Sequence, residues 1–436
     1  MIKNIAKRGQ LSMLLSFALF IFVGTLLLKL PWIMNTGKAL SWTDALYMAT
    51  SAVCVNGLTV INVYDMSILG QFILLCLMQI GGFGIITMSS SILLALGKSL
   101  SFSDTLLISS LNDNFSLRGT EGLVKTVIRY VLFSEVVGFF IIFIGCLVNK
   151  EGFFSSIWNS LFLAVSAFCN AGFSPYAGSV VKCHLISQIG ILLLGICGGF
   201  GIYAVYDIQQ TILKRQHRLK VFTKLVIWAT VILLIAGAIV FWFLGTKNGE
   251  SISPFEALFL SASARSFGFT IVPLNVLPDT SIELLILLML IGGCPGSTAG
   301  GMKTSTFALA CAAIWNSFQG NQKVLLFGRE IPASNVMKSF TIIVVFLLAS
   351  SIGIVAVETA VPSINTTNLV FETFSAICTV GLSVGDTSSL MNSNGKIIIT
   401  LLMFIGRMGP FTIMLFLMGR SKSSNLKYPA EQIIIG

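Results

Sequence analysis

A chain of 436 residues that is 55 % hydrophobic and only 10 % charged is not an ordinary soluble domain, in which about a quarter of residues carry charge. Its formal net charge of +10 does not mark a nucleic-acid surface, because the basic residues are distributed by membrane topology. The nine cysteines sit mostly in apolar runs without a CxxC pair or a metal-ligand spacing, which makes them small core residues rather than disulfides or ligands.

Lys3, Lys7 and Arg8 precede the first apolar run, residues 11–30, which exceeds the roughly 18 residues that mark a bilayer span. It is too long for a signal peptide and no small-x-small cleavage site follows, so it reads as a retained anchor helix. Further apolar spans follow near 67–96, 125–148, 185–213, 221–246, 282–314, 336–360 and 396–419. Within each consecutive pair lies a shorter helical segment, at 43–54, 157–169, 254–265 and 369–378. Each makes about three turns, or ~15–18 Å, which is half a bilayer.

The sequence therefore predicts an all-α membrane protein with four pseudo-repeated units of span, half-helix, loop and span. Eight transmembrane helices and four pore half-helices would surround a central pore. The repeats occupy 11–96, 125–213, 221–314 and 336–419, joined by loops 97–124, 214–220 and 315–335, with termini at 1–10 and 420–436. Lys98, Arg118, Lys125, Arg129, the cluster from Lys214 to Lys224, Lys323, Arg329, Lys338, Arg420, Lys422 and Lys427 fall on the N-terminal side. Positive residues favour the cytoplasm, so both termini are expected there, with the half-helices descending from outside.

Each half-helix runs into one glycine. The loops are Val55-Asn56-Gly57, Asn170-Ala171-Gly172, Ser266-Phe267-Gly268 and Thr379-Val380-Gly381. A backbone that turns its carbonyls toward one point needs residues with glycine's freedom, and a carbonyl ring is one way to strip and pass a cation. The half-helices would aim their negative C-terminal ends at the same centre. Four unlike loops cannot form a strictly four-fold cage.

A second glycine point recurs about 25 residues beyond each loop, at Gly81-Gly82-Phe83-Gly84, Gly198-Gly199-Phe200-Gly201, Gly292-Gly293 and Gly406. Close helix packing is the plain reading of the first two. In the third it expands to GGCPGSTAGGMKTS, residues 292–305, which cannot hold a helix and reads as a flap across the pore. It is not a phosphate-binding loop, because Met302 displaces Lys303 from the required spacing and no strand precedes it.

Three cations lie at membrane depth, where charge is a functional suspect. Arg407, in IGRMGP, reads as a barrier to a cation or an anchor for the flap, against a buried ion pair with Glu135 or Asp207. Arg265 reads as a brace for its loop, paired with Glu256 or Glu372. Lys303 adds positive charge to the flap. The carboxylates form no catalytic pair, His184 and His217 belong to no constellation, and no enzyme activity is expected.

With Arg329-Glu330-Ile331-Pro332 and Tyr428-Pro429, the loops, the flap and the arginine resemble the Ktr/Trk/HKT superfamily of potassium transporters over nearly the whole chain. Within it the membrane subunits of bacterial Ktr systems are most similar. The resemblance implies channel-like potassium uptake across the plasma membrane, with sodium dependence left open. It implies a filter built from the carbonyls of the four loops and a gate of Gly292, Gly293, Gly296, Gly300, Gly301, Lys303 and Arg407. It also implies a homodimer in membrane lipid and a cytoplasmic ring of nucleotide-binding, RCK-type regulatory subunits, with ATP or ADP on that partner and no tightly bound cofactor on this chain. Asn56 stands where threonine is common, and Ser266-Phe267 where Thr-Ala is more usual, so ion preference stays open.

Overall fold

A computed structural model describes residues 2–37, 39–95, 120–214, 218–247, 249, 251–321, 323–385 and 387–409. Lys38, Lys98, Arg118, Arg215, His217, the end of the eighth apolar run and the tail with Tyr428-Pro429 lie outside them. The chain is almost wholly helical. The described residues hold one small sheet, a hairpin pairing Leu325 with Glu330 and Leu326 with Arg329.

A long helix, a short helix and a further helix follow one another four times. The first set is Ile2–Leu28, Trp42–Val53 and Ile68–Ala95. The second is Thr120–Val148, Phe153–Phe168, and Leu185–Gly199 with Ile202–Lys214. The third is Val221–Leu244, Pro254–Ala264, and Asp279–Leu290 with Thr304–Phe318. The fourth is Ala333–Ala360, Thr366–Ile377 and Ser393–Met408.

Burial is inverted relative to a soluble protein. The long helices turn Phe133, Trp228, Ile232, Ile352 and Val355 outward, whereas Ser51, Ser166, Ser263 and Ser375 are fully enclosed. Lipid accepts apolar side chains but offers the backbone no partners, so polar groups gather inside. By length and composition, Thr126–Val148, Val221–Leu244 and Ala333–Ala360 can each cross a membrane. The pair Leu185–Gly199 and Ile202–Leu213 does so only as a bent unit, with a 90° turn at its break.

Three of the four short helices begin at side-chain caps, and the second begins at Gly152 without one. Ser41 accepts the Asp44 N–H, Asn365 accepts the Thr367 N–H, and Ser253 with Glu256 forms a reciprocal box ahead of Pro254. Such caps satisfy amides that the first helical turn leaves open. These helices are the most buried of the fold, and they lie where the sequence places its half-helices.

The third helix of each set differs from the expected unbroken span. It breaks at Gly84 (φ 63°) in the first set and at Gly201 (φ 83°) in the second, and in the fourth its described part ends at Gly409 (φ 80°). In the third set the same interruption widens into the loop from Ile291 to Lys303. The loop supplies partners for the broken helix beside it. Ile202 N–H donates to Gly296 O at 3.0 Å, and Cys294 N–H donates to Gly199 O at 3.0 Å. The flap is thus the enlarged form of the break seen in the first two sets.

The preceding glycines serve close packing. A Cβ on Gly81, Gly198 or Gly406 would overlap the carbonyl oxygen of Val53, Phe168 or Ile377, the last residue of the short helix in the same set. At Gly292 the obstacle is Gly300 O of the flap instead. Gly198→Ala should therefore cost about 1–3 kcal/mol by forcing two backbones apart. Gly199→Ala, whose Cβ would meet nothing closer than Asn170 Nδ2 at 3.6 Å, should melt like the parent in detergent. Equal melting temperatures for the two variants would refute the close-approach account.

Candidate functional site

Three of the four short helices end in the same way. Val55 N–H donates to Ala52 O and Asn56 N–H reaches back to Ser51 O; Asn170 with Ala171, and Thr379 with Val380, repeat the pair of bonds. This double bond closes a helix with a left-handed residue, a place usually filled by glycine. Here Val55 (φ 53°), Asn170 (φ 58°) and Thr379 (φ 49°) fill it. The third helix ends differently, with Phe267 N–H donating to Ser263 O, and Ser266 (φ 91°) takes the left-handed position. For β-branched Val55 and Thr379 that conformation is strained, of order 1–3 kcal/mol, and persists only where surroundings impose it.

Two residues on, the chain turns left-handed again, at Gly57 (φ 99°), Gly172 (φ 70°), Gly268 (φ 73°) and Gly381 (φ 88°). Alternating the sign of φ turns successive carbonyls toward one side, a turn that only glycine makes freely. The four glycines also meet. A Cβ on Gly57 would strike Ala171 O, one on Gly172 would touch Gly268, one on Gly268 would strike Val380 O, and one on Gly381 would strike Asn56 O. The contacts run first loop to second, third, fourth and back to first, which is a closed ring in chain order. All four glycines line one open cavity of about 440 Å³, together with Thr59, Asn62, Ser174 and Ser383.

The ring is held from behind. Ser51 accepts the Gly57 N–H and Ser375 accepts the Gly381 N–H, each at 3.1 Å. Ser166 donates to Phe173 O at 2.8 Å, and Ser263 donates to Phe269 O. Between loops, Asn56 donates to Ala376 O at 2.9 Å and Ser266 donates to Thr379 O at 3.0 Å. Glu372, fully buried, accepts from Ser383 at 2.8 Å and from Ser388, which Tyr47 meets at 2.9 Å. The serine braces were within reach of sequence reading, because a Ser-Ala pair opens every copy of the motif. The sequence offers Glu372 only as a partner for Arg265, and nothing in it points to these serine contacts.

The flap lies against these loops. The Thr298 hydroxyl is 3.0 Å from both Phe168 O and Gly198 O, and 2.9 Å from the Asn170 amide. Gly300 N–H donates to Ser266 Oγ at 2.9 Å, and Lys303 Nζ donates to Ala299 O at 2.7 Å. Gly292 N–H donates to Met302 O at 2.8 Å, which closes the flap at its base. Gly293, Gly296 and Gly301 sit within the same folded segment.

The partners expected for the arginines are corrected. Arg407 pairs with neither Glu135 nor Asp207. It donates from Nη1 to Thr298 O and from Nη2 to Gly81 O, both at 2.6 Å. Glu135 instead accepts from Gln79, and Asp207 caps the helix at Lys220 and Thr223. Main-chain carbonyls win because the flap and the break beside Gly81 expose them where no carboxylate reaches. Arg265 likewise meets neither Glu256 nor Glu372. It donates to Thr230 O at 3.3 Å and to Thr304 Oγ1 at 3.1 Å, so it braces the flap's far end. Among the described residues no group of three or more His, Cys, Asp and Glu could hold a metal ion.

The family model described as "TrkH: Cation transport protein" matches residues 15–426. The chain is 34 % identical to the Ktr system potassium uptake protein B of Vibrio alginolyticus, over 97 % of this chain and 94 % of that protein. It is 31 % identical to the potassium/sodium uptake protein NtpJ of Enterococcus hirae, over 100 % of this chain and 99 % of the relative. Its fold is similar to the crystal structure of the potassium transporter TrkH from Vibrio parahaemolyticus, with a TM-score of 0.73 and 19 % identity, covering 94 % and 85 % of the two chains.

The braces behind the ring make a measurable claim. Ser375→Ala leaves the Gly381 amide buried without its acceptor, at an expected cost of about 1–3 kcal/mol. Ser351→Ala removes an exposed hydroxyl that bonds only within its own helix, and it serves as the control. The melting temperature should fall for the first variant alone; equal shifts would remove the serine from this role.

Proposed function

The chain belongs to the TrkH cation transport protein family, and from that premise we propose that it is the ion-translocating subunit of a Ktr-type potassium uptake system. The observation that carries the proposal is the ring of four left-handed glycines at the floor of one cavity. Each repeat gives the ring one short loop, and the potassium ion is coordinated by backbone carbonyls of residues 55–57, 170–172, 266–268 and 379–381. The half-helix C-termini, each worth roughly half a negative charge, favour a cation at their common focus. Potassium then enters down the membrane potential, which contributes about 2.3 kcal/mol per charge per 100 mV. The name of the Enterococcus relative supports sodium as a second ion that the site admits or responds to.

In this reading the four helical sets are four repeats in the cell membrane, with both termini cytoplasmic, and two chains assemble as a dimer of pores. Regulation comes from a cytoplasmic ring of nucleotide-binding subunits docked on the basic loops near Lys220, Lys224, Lys323 and Arg329. The flap from Gly292 to Ser305 is the gate. Arg407 is its latch, and the two carbonyls it grips on Thr298 and Gly81 support this role over that of a bare electrostatic barrier.

Rubidium uptake into proteoliposomes containing the purified chain tests the whole reading. Gly57→Ser should weaken discrimination against sodium by about tenfold, the equivalent of ~1.4 kcal/mol in site preference. An unchanged preference would count against the filter assignment. Arg407→Ala should raise flux and loosen its dependence on the regulatory partner. Arg407→Lys separates the two roles, since it retains the charge and loses the two-point grip. A latch predicts that it behaves like Arg407→Ala, and a barrier predicts that it behaves like the parent.

A further inference from the structure

Ser266 joins two parts of the molecule that the sequence presents as separate devices. Its hydroxyl donates to the carbonyl of Thr379 in the fourth loop at 3.0 Å and accepts the N–H of Gly300 in the flap at 2.9 Å. Ser266 and Thr379 are 1 % and 0 % exposed, so bulk water cannot stand in for either bond. Gly300 also packs on Thr379 directly, because a Cβ at Gly300 would overlap Thr379 Oγ1. That hydroxyl has no hydrogen-bond partner among the described residues. Thr379 is a β-branched residue held left-handed (φ 49°), so its conformation depends on what grips it.

Building on the potassium-pore reading above, we propose that Ser266 couples ion discrimination to the position of the flap. With the flap docked, the Gly300 N–H occupies a lone pair of the serine oxygen, and this directs the hydroxyl proton onto the Thr379 carbonyl. Hydrogen bonds in such a chain strengthen one another. When the flap withdraws, the hydroxyl turns freely, the contact behind Thr379 opens, and one carbonyl of the ring loses its fixed direction. Discrimination among cations follows the number and orientation of coordinating carbonyls. Flap movement therefore changes which ion passes as well as how fast. The first loop has no hydroxyl at Val55 or Asn56 to play this part, and the second meets the flap through Asn170 and Thr298 instead of a serine bridge between loops.

The test is a double-substitution cycle on the full chain in proteoliposomes, reading the ratio of rubidium to sodium uptake. That ratio does not depend on how much protein is inserted. Ser266→Ala should lower it by about threefold to tenfold, and Ser266→Thr, which retains a hydroxyl, should preserve it. Arg407→Ala, which removes the two bonds that hold the flap to the helix at Gly81, should lower the ratio by a similar factor in the parent. In the Ser266→Ala background it should raise flux without lowering the ratio further. A parent-like ratio in Ser266→Ala, or two losses that multiply independently, would overturn the coupling while leaving the pore intact. Absence of rubidium uptake by the parent chain would overturn the pore reading and the coupling with it.

Discussion

A helix that ends inside a membrane leaves its last carbonyls without partners, and lipid supplies none. Four short helices end beside one another in this molecule, and most of its unusual features answer to their open carbonyls. Some carbonyls are taken up by left-handed closures at Val55, Asn170 and Thr379. Others are approached by side chains from a neighbouring loop, as Asn56 approaches Ala376. Glycine in the adjoining helix lets its backbone come against the carbonyls of Val53, Phe168 and Ile377.

Much of this was legible in the sequence because glycine carries a backbone meaning that does not depend on neighbours. The four loops, their short helices and the widened break at 292–305 all stand where those glycines place them. Side-chain partnerships were not legible. A buried guanidinium suggests a carboxylate, and Glu135, Asp207, Glu256 and Glu372 were the carboxylates to hand. The broken helices instead expose main-chain oxygens nearer to Arg407 and Arg265, and these take the donors. Sequence patterning reports which side chains are charged, but not where a helix interruption releases a carbonyl.

The breaks at Gly84 and Gly201 escaped notice for a related reason. An apolar run on both sides of a single glycine has the same hydropathy whether or not the helix bends there. Only the third set, with Pro295 and several glycines together, departs from helix strongly enough to be read directly. The shared break gives the flap an origin in the architecture: in the third set the interruption has lengthened until it reaches the glycine loops.

The ring also closes between the ends of the chain. Tyr47 meets Ser388 at a separation of 341 residues, Asp44 pairs with Lys396 at 352, and Asn56 grips Ala376 at 320. Synthesis proceeds from the N-terminus, so the first repeat's half-helix exists long before the side chains that complete it. Until the fourth repeat is inserted, Asp44 lacks Lys396 and the first loop lacks its neighbour on one side. Contacts of such long range form late and slowly. Translation through the last set of helices is therefore the step that closes the ring of loops, and a product truncated before it would leave an open-sided bundle.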